Sequence, residues 1–588
     1  MSEEKNLLNS DRKIPLTEFF KQVFKYIKPE IWRFVLAFIL MILNVAFDIF
    51  VSLITSKITG ILKTDYIDII LIAVVIIGGF IMFLVSQVFM YFDSLILQKS
   101  GQNIIFNLRK DVFSHIENMS LNQLNEMPVG SLVTRVASYT EAMSDLFTNV
   151  IVNVVKNVIT IVAVFCVLLG ISPKLGGILS VLVFLVFLIS FFFSKYMSKL
   201  FRADSKIMSD MNTFLNENIS GIKLIQNFNQ EEYKHDQFNE KNNKYLKNRM
   251  KIIRGFAFYR PLMSFLYFIS VGVTFYFGIK FGLNSAEIVA FYLLLSRFFN
   301  PVQELADQLN NIQKSYTSSE KLFNLMNILP DVVDKKDAIE VESFKGKIEF
   351  KNVWFAYEDE NWILKDVSFV VNPKESCAFV GATGAGKTTI LSLVVRNYEP
   401  QKGEILIDDI NVKDIKIESL RKAIGQMLQD VFLFSGSIRS NITLYDNDSY
   451  SDDEIMGVCK YVNADTFINK LPNKLDEEVI EKGENFSVGQ RQLLSFARTV
   501  LSRPQILILD EATANIDTET EVLIQASLQK IKSIGTMLVV AHRLSTIQHS
   551  DQIIVLQNGK IVEKGTHQDL LKNHGYYYKL YELQFSNK

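Results

Sequence analysis

The sequence predicts a multi-domain chain: an all-α polytopic membrane domain of six transmembrane helices, followed by an α/β P-loop nucleotide-binding domain. Three observations carry this. Six apolar runs of about 20 residues or more fill the first half, each long enough to cross a hydrocarbon core. The pattern changes near Val341 to short β-rich runs, glycine turns and amphipathic helices. The stretch "VGATGAGKTT", Val380 to Thr389, has the spacing of a phosphate-binding loop between a strand-like and a helix-like run.

The runs lie at 32–55, 67–93, 146–170, 174–196, 258–282 and 286–309. Buried helices of a soluble protein would show a polar face at helical spacing, and "IDIILIAVVIIGGFIMFLVSQVFMYF" shows little of one. The connections at 94–145 and 197–257 are long and rich in Lys and Arg, whereas "ISPKL" and "KFGLNSAE" are short. Positive charge near span ends marks the cytoplasmic side. The N-terminus, the long loops and everything after the sixth span are therefore expected inside. The N-terminus lacks the basic-then-apolar order of a cleaved signal peptide. "LTEFFKQVFKYIKPEIW" reads as a helix lying flat on the inner surface, or as a plain juxtamembrane helix. The expected domains are 1–31 (N-terminus and interfacial elbow helix), 32–325 (membrane domain), 326–340 (linker) and 341–588 (nucleotide-binding domain).

The long loops carry helix-like stretches continuous with the spans. At their tips, 120–130 and 218–232 read as short helices able to press on another domain. Asp48, Asn153, Lys156 and Asn157 fall inside spans, where charge is costly, so they should face the bundle interior or a water-filled cavity. Asp48 can serve as a cavity carboxylate favouring cationic substrates, or form a structural pair with Lys156.

Composition narrows the function classes. A formal net charge of -1 over 588 residues gives no electrostatic case for nucleic acid. Phenylalanine numbers 46 and aromatic residues make up 12% of the chain, which is high for a soluble protein. Cys166, Cys377 and Cys459 are too few and scattered for a disulfide framework or a zinc site.

In the P-loop, Gly381, Gly386, Lys387 and Thr388 meet G-x-x-x-x-G-K-T. Glycines let backbone N–H groups point at phosphate oxygens, and the helix start adds partial positive charge. Lys387 can reach the β- and γ-phosphates, and Thr388 can ligate Mg²⁺. In "ILILDEATANID" a buried strand delivers Asp510 and Glu511 at its carboxyl end. Asp510 can hold Mg²⁺ through its water shell and Glu511 can orient or deprotonate water. His542 ends a later strand and can bond the γ-phosphate. Gln429 can sense water or Mg²⁺. Tyr357 can stack on a base or simply pack. Ser487 and Gly489, in "FSVGQRQLLSFAR", begin a further helix and offer a second phosphate site. It is surplus within one chain and makes sense if it serves a nucleotide on a second copy.

"GATGAGKTT", Gln429, "FSVGQ", "ILILDE", "ANID" and "AHR" occur in the order of the ATP-binding cassette domain. Six spans followed by one cassette resemble an ABC exporter half-transporter, over nearly the whole chain. The resemblance implies the ABC exporter fold and the cofactors ATP and Mg²⁺. It implies phosphate and metal binding by Gly381, Thr383, Gly384, Gly386, Lys387, Thr388 and Thr389, and adenine stacking by Tyr357. It makes Asp510 the metal-side acid, Glu511 the catalytic base, His542 the switch histidine, and Gln429 the residue coupling the site to the membrane part. It places Ser487, Gly489 and Gln490 against the partner's nucleotide and Asp517 in the loop crossing the dimer interface. "EKGEN" (481–485) resembles the segment that touches the loop-tip helices.

One departure stands out. The family's usual L-S-G-G-Q reads F-S-V-G-Q here, with Phe486 and Val488 off pattern and valine restricting the backbone where phosphate approaches. With Glu511 and His542 intact, this resembles the catalytic-site subunit of bacterial heterodimeric multidrug exporters and favours a heterodimer over a homodimer. The expected activity is ATP-driven export of amphipathic small molecules across the bacterial cytoplasmic membrane, with lipid around the spans and no nucleic-acid partner. The alternatives are a lipid or peptide exporter of the same architecture and a membrane-tethered regulatory ATPase.

Overall fold

The computed structural model describes residues 16–61, 69–358, 360–427, 431–444, 446, 449–510, 518–540 and 547–585, with backbone only at 16–20, 309, 310, 313, 518, 519, 584 and 585. Two compact units result. One holds the chain up to Asn118 together with Met127–Leu329; the other holds Met119–Glu126 and everything from Pro330 onward.

The first unit is helical. Its elements are α1 (Leu16–Ile27), α2 (Ile31–Ile61), α3 (Ile69–Glu117), α4 (Val129–Ile171), α5 (Pro173–Ser220), α6 (Glu231–Lys280), α7 (Ser285–Asp307) and α8 (Leu309–Met326). As expected from the loop patterns, α3, α5 and α6 run on well beyond their apolar stretches. They reach 49, 48 and 50 residues. At 1.5 Å per residue each is about 70 Å long, roughly twice a hydrocarbon core. The tight outer turn between α4 and α5 is set locally: Ser172 caps the backbone N–H of Leu175, and Pro173 occupies the first helical position. Asn284 and Glu287 form a reciprocal capping box at the start of α7, with both bonds 2.8 Å.

α2 packs on α3, α5 on α6, and α7 on α4, α2 and α6. Phe291, Leu294, Leu295 and Phe298 of α7 bury against Met263 and Leu266 of α6 and Val164 and Leu168 of α4. α1 is tied to α3 by Tyr26 Oη, which donates to Asp111 Oδ2 at 3.0 Å. Just before α2, Glu30 accepts from Ser100 Oγ at 3.0 Å and Asn103 Nδ2 at 2.9 Å.

Among the described residues, five helical stretches are long and apolar enough to cross a membrane: those ending at Ile61, Glu117, Ile171, Ser220 and Lys280. α7 has 23 residues, length enough to span, but carries Glu287, Arg297, Glu304 and Asp307. It takes its place as the sixth span through its buried face.

Asp48 pairs with Arg297 (Nη1–Oδ2 3.4 Å) rather than with Lys156. The charged neighbour of Lys156 is Asp93. The sequence suggested the wrong cation because both lie on spans, and charge alone does not say which helices are adjacent.

The second unit contains two principal sheets. The first is antiparallel, ordered β2 (Trp362–Val371), β1 (Ile348–Ala356), β4 (Lys402–Ile407), β5 (Ile410–Asn411). The second has β3 (Ser376–Gly381), β6 (Ile424–Met427), β7 (Ile506–Asp510), β8 (Thr536–Val540), β9 (Gln552–Gln557) and β10 (Lys560–Gly565), in the order β10-β9-β3-β8-β7-β6. All its pairs are parallel except the β9–β10 hairpin, which turns at Asn558 and Gly559, both at positive φ. β8 is buried throughout, and β7 is buried until Asp510. Central strands of a parallel sheet covered on both faces read as continuous apolar runs for this reason.

Two distant segments are fastened to this unit. The fully buried Arg396 donates to Ile415 O at 2.8 Å and Val333 O at 3.0 Å, and forms ion pairs with Asp334 at 3.2 Å and Glu399 at 3.0 Å. The short helix Leu121–Asn125 is capped by Ser120 and held to Asp331, which accepts from Gln123 Nε2 at 2.9 Å and Ser120 Oγ at 3.2 Å.

Candidate nucleotide site

Sheet register places the site. Val540 on β8 lies opposite both Phe379 on β3 and Asp510 on β7. The carboxyl ends of these strands are therefore level, and the loop after β3 opens beside Asp510. Ligands of open α/β sheets bind in this crevice.

The loop is shaped by glycine where nothing else fits. Gly386 has φ +102° and caps α9 (Lys387–Val394); a Cβ there would meet Leu364 Cδ2 at 2.6 Å. Gly384 has φ +81°, so only its backbone conformation demands glycine. A Cβ on Gly381 would stand 2.4 Å from Leu556 O.

Lys387 is buried, and its ammonium donates to Gly381 O at 2.8 Å and Ala382 O at 3.1 Å. Burial lowers its pKa and the charge of Asp510 opposes that shift. The ammonium is thus held at the loop mouth by two carbonyls that a phosphate oxygen can replace. Thr383 on this loop and Thr388 in the first turn of α9 are exposed. The Thr388 hydroxyl and the Asp510 carboxylate are hard oxygen donors of the kind Mg²⁺ takes, so the residues present fit that ion.

Tyr357 is partly buried. Its hydroxyl lies 3.0 Å from Thr389 Oγ1, and its ring meets Phe355 and Tyr398 edge-on at 4.9 and 5.1 Å. It is packed, and its hydroxyl stands beside the first turn of α9. Tyr398, which the sequence analysis did not single out, accepts a 3.4 Å hydrogen bond from Asn125 Nδ2 of the loop-tip helix. Its only sequence signal was an aromatic residue shortly after α9.

The second phosphate-type helix start is α10 (Val488–Leu501). Ser487 Oγ accepts from Gln490 N at 3.2 Å, and Gln490 Oε1 accepts from Ser487 N at 2.9 Å. Ser487 and Val488 face outward and Gly489 is buried. The two off-pattern residues differ in kind. Phe486 is buried against Phe467, ring centroids 6.2 Å apart, whereas the Val488 side chain is exposed. Gln429, Glu511, Asp517 and His542 lie outside the described residues.

Residues 34–302 match the ABC transporter transmembrane region, and residues 364–514 match the ABC transporter model. The chain is 37% identical over 510 residues to a putative ABC transporter ATP-binding protein, exp8, of Streptococcus pneumoniae, covering 86% of this chain and 87% of that one. It is 37% identical to YheH of Bacillus subtilis, a probable multidrug resistance ABC transporter ATP-binding/permease protein, over 87% of this chain and 76% of the other. It is 32% identical to an ATP-dependent lipid A-core flippase of Syntrophus aciditrophicus, over 97% and 95% of the two chains. Among solved structures, a bacterial Atm1-family ABC exporter with ATP bound superposes with a TM-score of 0.81 at 25% identity, over 94% of this chain and 98% of that one.

Proposed function

From the premise that this chain belongs to the ABC exporters, as an ATP-hydrolysing half-transporter of the cytoplasmic membrane, we propose that it exports amphipathic small molecules by alternating access as one half of a dimer. The observation that carries the dimeric reading is the outward-facing start of α10. Ser487 and Gln490 complete a capped helix N-terminus that this cassette's own phosphate loop does not need. A nucleotide on the partner cassette is its natural ligand.

In this reading Lys387 and the loop N–H groups hold the phosphates, and Tyr357 supports the adenine. Thr388 and Asp510 would hold Mg²⁺, with Gln429 as a further oxygen donor. Bound Mg²⁺ supplies positive charge to the β- and γ-phosphate oxygens. Glu511 positions and deprotonates the attacking water, and His542 bonds the γ-phosphate. Ser487, Gly489 and Gln490 serve the partner's nucleotide, and Asp517 belongs to the loop that crosses the cassette interface. ATP closes the cassettes because it binds the closed form better, which is the differential affinity a switch requires.

The multidrug reading draws support from the likeness to YheH, and the off-pattern Val488 supports a heterodimer. Export of a lipid is the second reading, and the likeness to lipid A-core flippases supports it. The test is ATP turnover by the purified chain in lipid nanodiscs with Glu511→Gln as blank, followed by ATP-driven dye uptake into inside-out vesicles. Turnover above the blank by the chain alone supports a homodimer; turnover only after adding a second half-transporter supports the heterodimer. Stimulation by lipids but never by amphipathic dyes would overturn the small-molecule reading.

A further inference from the structure

Two polar stripes in the membrane unit meet at one ion pair. On α2, Asn44, Asp48, Ser52 and Ser56 recur every four residues and share one face. That face turns into the protein: Asn44, Ser52 and Ser56 are buried, and Asn44 Nδ2 donates to Ser86 O on α3 at 3.2 Å. On α7, Arg297, Asn300, Glu304 and Asp307 fall three and four apart, opposite the buried Phe291, Leu294, Leu295 and Phe298. This second stripe is exposed. An exposed face that meets lipid is apolar, as on α3, where Ile69, Ile70, Val74, Ile77 and Phe80 stand outward. An exposed face bearing three charges in a membrane helix meets water, ligand or a polar partner surface instead.

Arg297 reaches Asp48 through a single contact of 3.4 Å, with the side chains 47% and 39% exposed. The pair is open and loosely made. By contrast, Arg260 Nη2 reaches both oxygens of Asp307 at 3.1 Å. Arg260 balances Asp307. Asp48 then stands against Arg297, and among the described residues Glu304 forms no ion pair. The stripe carries an excess of negative charge.

We propose that the Asp48–Arg297 pair is the headgroup subsite of the transport pathway and selects amphipathic organic cations over neutral and anionic amphipaths. This deepens the export reading and rests on it. A cation entering from the inner leaflet is drawn along the acidic stripe past Glu304 and shares Asp48 with Arg297, in surroundings where low dielectric strengthens the attraction. An anion would have to displace Asp48 from Arg297 and leave two carboxylates unmatched.

The test is binding to the full chain in nanodiscs, with its partner half if turnover requires one. The probes are a permanently cationic rhodamine ester and uncharged and sulfonated dyes of the same ring system. The wild type is expected to bind the cationic dye at least tenfold more tightly than the uncharged one. Asp48→Asn should reduce that ratio about tenfold, and Asp48→Glu should keep it. Arg297→Gln should move the ratio the other way, raising it severalfold, and this variant decides alone if Asp48→Asn does not fold. No preference in the wild type, or an unchanged ratio in the folded variants, overturns the subsite. ATP-driven uptake of any of the dyes by the wild type reports on the export reading separately, so the two can fail independently.

Discussion

The phenolic oxygen of Tyr357 lies 3.0 Å from Oγ1 of Thr389, joining an aromatic at the end of the central strand β1 to the first turn of the phosphate-loop helix. On the proposed reading, this residue would touch both the base and the phosphate loop. Tyr357→Phe keeps the ring and loses one hydrogen bond of about 1 kcal/mol. It should weaken ATP binding no more than about fivefold. Tyr357→Ala also removes the ring and should weaken it by a further factor of ten, about 1.4 kcal/mol. Nucleotide titration followed by fluorescence separates these outcomes.

Lys387→Ala removes the ammonium that bridges Gly381 O and Ala382 O. A charge-assisted phosphate contact is worth about 1.5–3 kcal/mol, so ATP affinity should fall roughly 10- to 100-fold. Turnover should vanish. Chelating Mg²⁺ should also stop turnover but leave some nucleotide bound, and Thr388→Ala should raise the Mg²⁺ concentration needed for half-maximal rate.

Arg396→Met tests the clamp on the segment entering the cassette. Arg396 is 1% exposed, and its loss strands the carbonyls of Ile415 and Val333 and removes one partner each from Asp334 and Glu399. Breaking a buried pair in this way costs about 3–5 kcal/mol. The cassette's melting transition should drop by roughly 6–20 °C, at about 2–4 °C per kcal/mol for a unit of this size. Calorimetry on the full chain reads it.

The two departures in "FSVGQ" should behave oppositely. Phe486→Leu trims a buried ring beside Phe467 and should lower stability by about 1 kcal/mol, with ATP turnover little changed. Val488→Gly alters an exposed residue at the start of α10 and should raise turnover by the chain alone. Equal effects of the two on turnover would remove the distinction between core and nucleotide-facing positions.

Acid stability should depend on Asp551. Burial pushes its carboxyl up, but hydrogen bonds from Ser376 Oγ and N, with the charge of Lys532, outweigh this and hold it below the ordinary value. Its contribution is therefore complete above about pH 5. It is lost as pH falls through the depressed value. Asp551→Asn should lower stability at neutral pH by about 1 kcal/mol. The gap to wild type should close on acidification.

The spans and the phosphate loop were legible in the sequence because each leaves a local mark, an uninterrupted apolar run or fixed glycine spacing. The extensions of α3, α5 and α6 were legible for the same reason. What stayed hidden depends on contacts between distant residues. Asp48 had Lys156 as its suggested partner, and helix packing gave it Arg297 instead. Arg396 gave no signal of being a buried hub, since its partners lie at 333–334, 399 and 415. Phe486 and Val488 looked like one irregularity and proved to face opposite ways. α7 was legible as a span, and its hydrophilic stripe was what lowered its apolar score.

Met119–Glu126 belongs to the compact unit of the cassette although about 200 residues of chain separate it from Pro330. The gene therefore has no single seam at which the engine can be lifted out. A cassette expressed from residue 330 leaves Asp331 and Tyr398 without the side chains of Ser120, Gln123 and Asn125. A chimera that grafts a relative's cassette onto these spans joins mismatched surfaces unless the eight-residue insert travels with it. Recombination between half-transporters would thus favour exchanges that carry both pieces, so the inheritable module is discontinuous in the reading frame.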